Sequence, residues 1–244
     1  MLKNPTMGDF LKNNDIIRLT DYTLLDKGKN EHEMREFLTK AKKYNPAAVC
    51  LFVKDIQLAK EILGSDIPIA AVVGGFPIGD VDCDEIRKEI SNAITLGADE
   101  IDIVLEPRDD ENFPNQIELE KLIAMREATQ DKILKVIIET PLLTERKIRA
   151  VARMALAVGV DFVKTCTGKR GDCKEIDVEI LSYELMRHEL TFGQSLGMKI
   201  SGGISSKERA MKFFQIISEM DEKIIDGKRL RIGSSSLIEN LPTI

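Results

Sequence analysis

Histidine is scarce in this chain of 244 residues: His32 and His188 are the two present, and both fall in charge-rich helical stretches. Metal centres of the usual lyase or hydrolase kind draw on several histidines, so neither a metal ion nor any other cofactor is expected. Cysteine is sparse too. Cys50, Cys83, Cys166 and Cys173 form no C-x-x-C pair, and residues 1–8 lack the apolar stretch of a leader. Reduced thiols in a cytoplasmic protein are the expectation. The longest apolar run, 67–79, is interrupted by Pro68, Gly74, Gly75 and Pro77 and is too short to cross a bilayer. An excess of positive charge is also lacking, since 35 Lys and Arg against 41 Asp and Glu leave a net charge of -6. That balance disfavours nucleic acid as a partner. No linker, repeat or low-complexity segment divides the chain, so residues 1–244 read as one domain.

What is present is an alternation. Short β-branched runs at 17–23, 47–53, 67–74, 100–105, 135–140, 161–165, 198–201 and 230–233 read as strands. Amphipathic stretches such as 84–96, 116–129, 144–158, 176–190 and 205–220 lie between them and read as helices. In 144–158, Ile148, Val151, Ala152, Ala155 and Leu156 share one helical face, and Thr144 is placed to cap its start. Eight strands alternating with helices in a chain of this length predict an α/β fold of the (β/α)8 TIM-barrel type. A doubly wound sheet is the other architecture this alternation allows, but its glycine-rich turn after the first strand is missing. The glycines cluster late instead, at Gly168, Gly202, Gly203 and Gly233.

Barrel chemistry sits at the C-terminal ends of strands. Here those ends carry Asp21, Cys50, Asp102, Glu139, Lys164, Lys199 and the run Gly233-Ser-Ser-Ser236. Lys164, in Val160-Asp-Phe-Val-Lys-Thr-Cys-Thr-Gly-Lys169, and Lys199, in Gly197-Met-Lys-Ile-Ser-Gly-Gly203, each close an apolar strand. On neighbouring strands at roughly 6 Å and an effective dielectric of about 20, two ammonium groups repel by about 2.8 kcal/mol, or roughly two pKa units. Each is then expected to make the other harder to protonate, and a free amine can attack a carbonyl to form a Schiff base.

The other candidates support that centre. Asp102 shares a strand face with Glu100, and a buried carboxylate there calls for a cationic partner or a proton-transfer role. Glu139 and Lys135 share a face of the fifth strand, where Glu139 could orient an amine and Lys135 could join a buried ion pair. Lys169, Gly202, Gly203 and Gly233-Ser-Ser-Ser236 suit a phosphate, with a short helix beginning at 234–236 aiming its N-terminus at the oxygens. Cys50 and Cys166 read as small packing residues, since no histidine is placed to activate them.

These segments resemble the deoxyribose-phosphate aldolase family of class I aldolases. The resemblance runs in order through Leu19-Thr-Asp-Tyr-Thr-Leu24, Ala48-Val-Cys-Leu51, Gly75-Phe-Pro-Ile-Gly79, Gly97-Ala-Asp-Glu-Ile-Asp-Ile-Val104, Leu134-Lys-Val-Ile-Ile-Glu-Thr140, the Lys164 and Lys199 segments and Ile232-Gly-Ser-Ser-Ser236. It implies cleavage of 2-deoxy-D-ribose 5-phosphate to D-glyceraldehyde 3-phosphate and acetaldehyde. Lys164 then looks like the Schiff-base lysine, Lys199 like the second lysine that lowers its pKa, and Asp102 like the proton-relay carboxylate. Lys169, Gly202, Gly203, Gly233, Ser235 and Ser236 match phosphate-side positions, and Asp21, Thr23 and Cys50 match positions lining the pocket. A homo-oligomer, dimer or tetramer, is implied as well. Three departures stand out: Ile200 follows Lys199 where the family often has Pro or Ala, Arg170 follows Lys169 where a Gly/Ala/Thr-rich loop is common, and the tyrosine-ended tail of some members is not present. Two other functions compatible with the residues are a Schiff-base aldolase for a different phosphorylated aldehyde or ketose, and a barrel that binds a sugar phosphate without turnover.

Overall fold

The computed structural model describes residues 11–242; the start at 1–8, where no leader is expected, lies outside them. Eight parallel strands close in chain order into a barrel: β1 (Thr20–Thr23), β2 (Ala48–Phe52), β3 (Ile69–Val73), β4 (Glu100–Val104), β5 (Ile133–Ile137), β6 (Phe162–Lys164), β7 (Gly197–Ser201) and β8 (Leu230–Ser234). Around it run α1 (Asn13–Arg18), α2 (Glu31–Tyr44), α3 (Ile56–Leu63), α4 (Cys83–Leu96), α5 (Gln116–Thr129), α6 (Glu145–Val158), α7 (Glu175–Phe192) and α8 (Lys207–Asp221). This is the (β/α)8 architecture that the alternation predicts. Among the described residues no helix is long and apolar enough to cross a membrane.

Local chemistry sets the helix starts. The Asn30 side chain accepts from the Glu33 amide and that of Asn115 from the Ile117 amide, while Glu33 and Glu118 reach back to the cap amides. Thr144 caps α6 as expected, its hydroxyl accepting from the Lys147 amide at 3.4 Å. Both faces of the strands are covered, so β3 and β4 are buried at every position.

Two boundaries differ by three residues from the sequence expectation, more than the other strand boundaries do. The first strand was expected over 17–23, yet Ile17 belongs to α1, whose start is closed by the Lys12 amide donating to Asp15 at 2.8 Å. The fifth strand was expected to reach Thr140 but ends at Ile137. Glu139 turns the chain with a left-handed φ of 52°, and Pro141 lies in the 3-10 turn Thr140–Leu142 that follows.

The main apolar core lies between strands and helices. A separate small cluster, including Cys50, Ala70, Val72, Val104 and Ile137, packs inside the barrel on the side of β2 to β5. The rest of the interior is mostly charged, with the Phe162 ring among the charges. Strand register sets Asp102 beside Lys135, Lys164 beside Lys199, and Lys199 beside Arg231. Gly197 makes room in this layer, since a Cβ there would come within 2.8 Å of the Phe162 ring.

Candidate active site

Three carboxylates and four cations share the barrel interior. Asp102 is fully buried, and its Oδ2 takes the Lys164 Nζ at 2.7 Å and the Lys199 Nζ at 2.7 Å. Its Oδ1 takes Lys135 Nζ at 3.0 Å. Lys135 also reaches Asp21 Oδ2 at 3.0 Å and pairs with Glu100. Lys199 reaches Asp21 Oδ2 at 2.6 Å. Arg231 closes the base of the network at 3.7 Å from Asp21 Oδ1 and 3.5 Å from Glu100 Oε1.

Electrostatics inside this network run against burial. Burial pushes the Asp102 carboxyl up, but Lys135, Lys164 and Lys199 outweigh it and hold the group well below the usual carboxylate range. Asp21 behaves the same way, held down chiefly by Lys135 and Lys199. For Lys199, burial favours the neutral amine, yet Asp102 and Asp21 raise its pKa above the ordinary lysine value. Mutual repulsion was expected to make each lysine harder to protonate; for Lys199 the two carboxylates in contact reverse that expectation. It stands as a fixed ammonium.

The two lysines differ in access. Lys199 is fully buried, whereas Lys164 is 3% exposed and lines a cavity of about 220 Å³ at the C-terminal mouth. Thr23, Thr167, Gly168, Lys169, Gly202, Gly203, Gly233, Ser235 and Ser236 line the same cavity. Lys164 thus opens onto the wall formed by the glycine and serine segments.

Two of those glycines have a steric reason. Gly202 has a φ of 94°, and a Cβ on it would lie 2.5 Å from the Cys166 Sγ. At Gly233 a Cβ would lie 3.1 Å from the Lys199 Cε, so the glycine makes room for that side chain.

Several expectations need correction. The segment after Ser234 forms a turn rather than a short helix: the Ser234 hydroxyl accepts from the amides of Ser236 at 3.3 Å and Leu237 at 3.0 Å. From that turn, and not from a helix end, Ser235 and Ser236 line the cavity. Asp21 and Cys50, expected along the pocket wall, are fully buried and absent from its lining. Asp21 binds Lys199, and the Cys50 thiol stands 3.9 Å from Asp102 Oδ2, its pKa raised by burial. Glu139, expected to orient an amine, accepts instead from the Thr167 amide at 3.2 Å. Its Oε2 is buried without a hydrogen-bond partner, and burial raises its pKa. Lys135 is a buried ion-pair member, the role the sequence assigned to it.

Sequence reasoning missed Arg231 and Ser201. An arginine inside the β-branched run Leu230-Arg-Ile232 is the same signal that marked Lys164 and was there to be read. Ser201, which lines the cavity and donates to the Cys166 carbonyl, has no comparable sequence signal. Among the described residues no group of three or more His, Cys, Asp or Glu is arranged to hold a metal ion.

Fold and site together define a (β/α)8 barrel whose mouth pairs buried lysine amines with a small cavity lined by glycine, serine and one exposed lysine. The chain belongs to the DeoC/LacD aldolase family, whose sequence model matches residues 17–219. It is similar to the deoxyribose-phosphate aldolase of Streptococcus uberis, 35% identical over 225 residues that cover 89% of this chain and 99% of that one. A Clostridium botulinum deoxyribose-phosphate aldolase is 35% identical over 90% of this chain and 95% of its own length. Among solved structures, the aldolase QR15 superposes with a TM-score of 0.77 at 27% identity, covering 92% of this chain and 95% of that one. The tetrameric deoxyribose phosphate aldolase of Aeropyrum pernix shares the fold, with a TM-score of 0.74 at 22% identity over 93% of this chain and 91% of that one.

Proposed function

We propose that this protein is a class I aldolase that reversibly cleaves 2-deoxy-D-ribose 5-phosphate to D-glyceraldehyde 3-phosphate and acetaldehyde. The observation that carries the reading is the position of the Lys164 amine, open to a cavity on one side and held by Asp102 on the other. The names of the relatives, at about a third identity over most of the chain, support the substrate.

Lys164 releases its proton, attacks C1 of the open-chain sugar, and water leaves as the iminium forms. The iminium accepts the electron pair of the C2–C3 bond while the C3 hydroxyl gives up its proton, which frees glyceraldehyde 3-phosphate and leaves an enamine. Protonation at C2 and attack of water on C1 then release acetaldehyde and restore the amine. Asp102 is ionised and 2.7 Å from Lys164, so it is the group on hand to move protons, through a bound water where the distance requires it. Lys199, held by Asp102 and Asp21, supplies a fixed positive charge beside the Lys164 amine. Lys169, Gly202, Gly203, Gly233, Ser235 and Ser236 receive the phosphate, and Thr23 contacts the sugar. Asp21, Lys135, Glu139 and Cys50 act from behind: the first two hold Lys199 and Asp102, Glu139 holds the Thr167 amide, and Cys50 packs beside Asp102.

Reductive trapping tests this. Incubation with 2-deoxyribose 5-phosphate and borohydride should leave a stable adduct on the peptide carrying Lys164, and Lys164→Ala should lose both adduct and turnover. An adduct on a different lysine, or full activity in Lys164→Ala, would sink the mechanism.

A further inference from the structure

Lys169 and Arg170 are adjacent cations with different surroundings. Lys169 is exposed, lines the cavity, and among the described residues has no ion pair. Arg170 is absent from the cavity lining and turns to the loop after β4. There its Nη1 donates to Glu106 Oε2 at 2.6 Å and its Nη2 to Oε1 at 2.8 Å. Such a two-pronged pair fixes direction as well as distance, because a planar fork meets a planar carboxylate.

Glu106 gathers a third loop. Its Oε2 also accepts from the Gly79 amide at 3.0 Å, in the loop after β3. The backbones meet closely there, since a Cβ on Gly79 would lie 2.6 Å from the Val104 carbonyl oxygen. Upstream of Lys169 the chain is held by Glu139 on the Thr167 amide at 3.2 Å and by the Thr167 hydroxyl accepting from the Lys169 amide at 3.1 Å. The Glu106–Arg170 pair is the matching restraint immediately downstream.

We propose that Glu106 and Arg170 form a latch between loops that fixes where Lys169 stands and so sets how tightly the site holds the phosphate of its substrate. The proposal rests on the cavity being a sugar-phosphate site. Both residues are positioning residues: they act on the substrate through Lys169. Because the latch serves the phosphate alone, it should leave an unphosphorylated sugar indifferent to its loss.

The experiment compares the full-length protein with Glu106→Gln, Arg170→Gln, the double variant and Arg170→Lys. The Glu106→Gln change keeps an acceptor for the Gly79 amide, and Arg170→Lys keeps the charge while losing the fork. Binding of inorganic phosphate is measured by calorimetry, and steady-state kinetics are run with 2-deoxyribose 5-phosphate and with unphosphorylated 2-deoxyribose. Each glutamine variant should weaken phosphate and raise KM for the ester roughly tenfold, with kcat within about twofold, as expected for a misplaced binding group. The double variant should be no worse than either single one, Arg170→Lys should fall between wild type and Arg170→Gln, and kcat/KM for the unphosphorylated sugar should not move. Unchanged phosphate affinity in the glutamine variants, or an equal loss with both sugars, overturns the latch. So does a large loss in Arg170→Gln alongside tighter binding in Glu106→Gln, since the guanidinium would then contact the phosphate itself. A wild-type protein that binds phosphate but does not turn over the ester removes the proposed function alone, and the calorimetric arm still decides the latch. A wild-type protein that binds no phosphate overturns the latch. Should a glutamine variant fail to fold, Arg170→Lys decides by the same two readouts.

Discussion

Lys135 meets three carboxylates from the fully buried interior of the barrel, and its charge contributes most among those that keep Asp21 and Asp102 ionised there. Removing one member of a buried ionic network leaves the others uncompensated, at about 3–5 kcal/mol. Lys135→Met should therefore lower stability by about that much at pH 7. The pH dependence has a definite sign. Asp21 and Asp102 have folded-state pKa values below their unfolded ones, so they contribute stability above about pH 4 and lose it as pH falls through the folded values. Without Lys135 that depression shrinks, so the difference between variant and wild type should be largest at pH 7 and narrow below about pH 4. Urea unfolding at both pH values checks this; an equal loss at each would mean that Lys135 acts by packing alone. At this scale the sequence was informative where a charged side chain fell within an apolar strand run, as with Lys164 at the end of β6 and with Asp102 and Lys199, which the structure sets mid-strand in β4 and β7. It said little about Glu106, which sits just beyond a strand among other charged residues and whose partner is 64 positions away.

Element boundaries were less legible than the elements themselves, for physical reasons that differ between β1 and β5. The run Ile16-Ile17-Arg-Leu19 is apolar enough for a strand, but the cap from Asp15 to the Lys12 amide starts a helix just before it. At β5 the apolar run continues through Ile138, and Glu139 is an uncommon residue for the left-handed turn it makes. The glycines that shape the mouth offer a test at the same scale. Gly159, closing α6, has a φ of 82° with no atom within 4 Å of an added Cβ, whereas Gly202 combines a φ of 94° with a Cβ position 2.5 Å from the Cys166 Sγ. Gly159→Ala should thus cost only the conformational strain, about 1–2 kcal/mol. Gly202→Ala should cost more, because the collision displaces the segment between β6 and α7, and it alone should weaken inorganic phosphate binding. Thermal melts and calorimetry on the two variants separate strain from displacement; equal losses and unchanged binding would show that the Cys166 contact relaxes freely.

Across the whole molecule, eight alternations of strand and helix made the barrel readable, because each strand must bury both faces and each helix one. Its closure and the polar half of its interior came from register, which no single segment displays. The same contrast between local and global governs how an anionic substrate arrives. The net charge of -6 would repel a phosphate dianion if it acted at the mouth. A chain of this size has a radius of gyration of about 18 Å, while the Debye length is about 10 Å at 0.1 M salt. Charges on the far surface are therefore largely screened at the mouth, where Lys169, with no ion pair among the described residues, lines the cavity and Glu106 is already neutralised by Arg170. Lys169 places a positive charge at close range to the dianion, and added salt should weaken that attraction. kcat/KM for 2-deoxyribose 5-phosphate should fall as potassium chloride rises from 0.05 to 0.5 M, about threefold or more, while the value for unphosphorylated 2-deoxyribose stays flat. Lys169→Gln should flatten the first curve as well. A rise in kcat/KM with salt would instead show that the overall negative charge, and not Lys169, controls the approach.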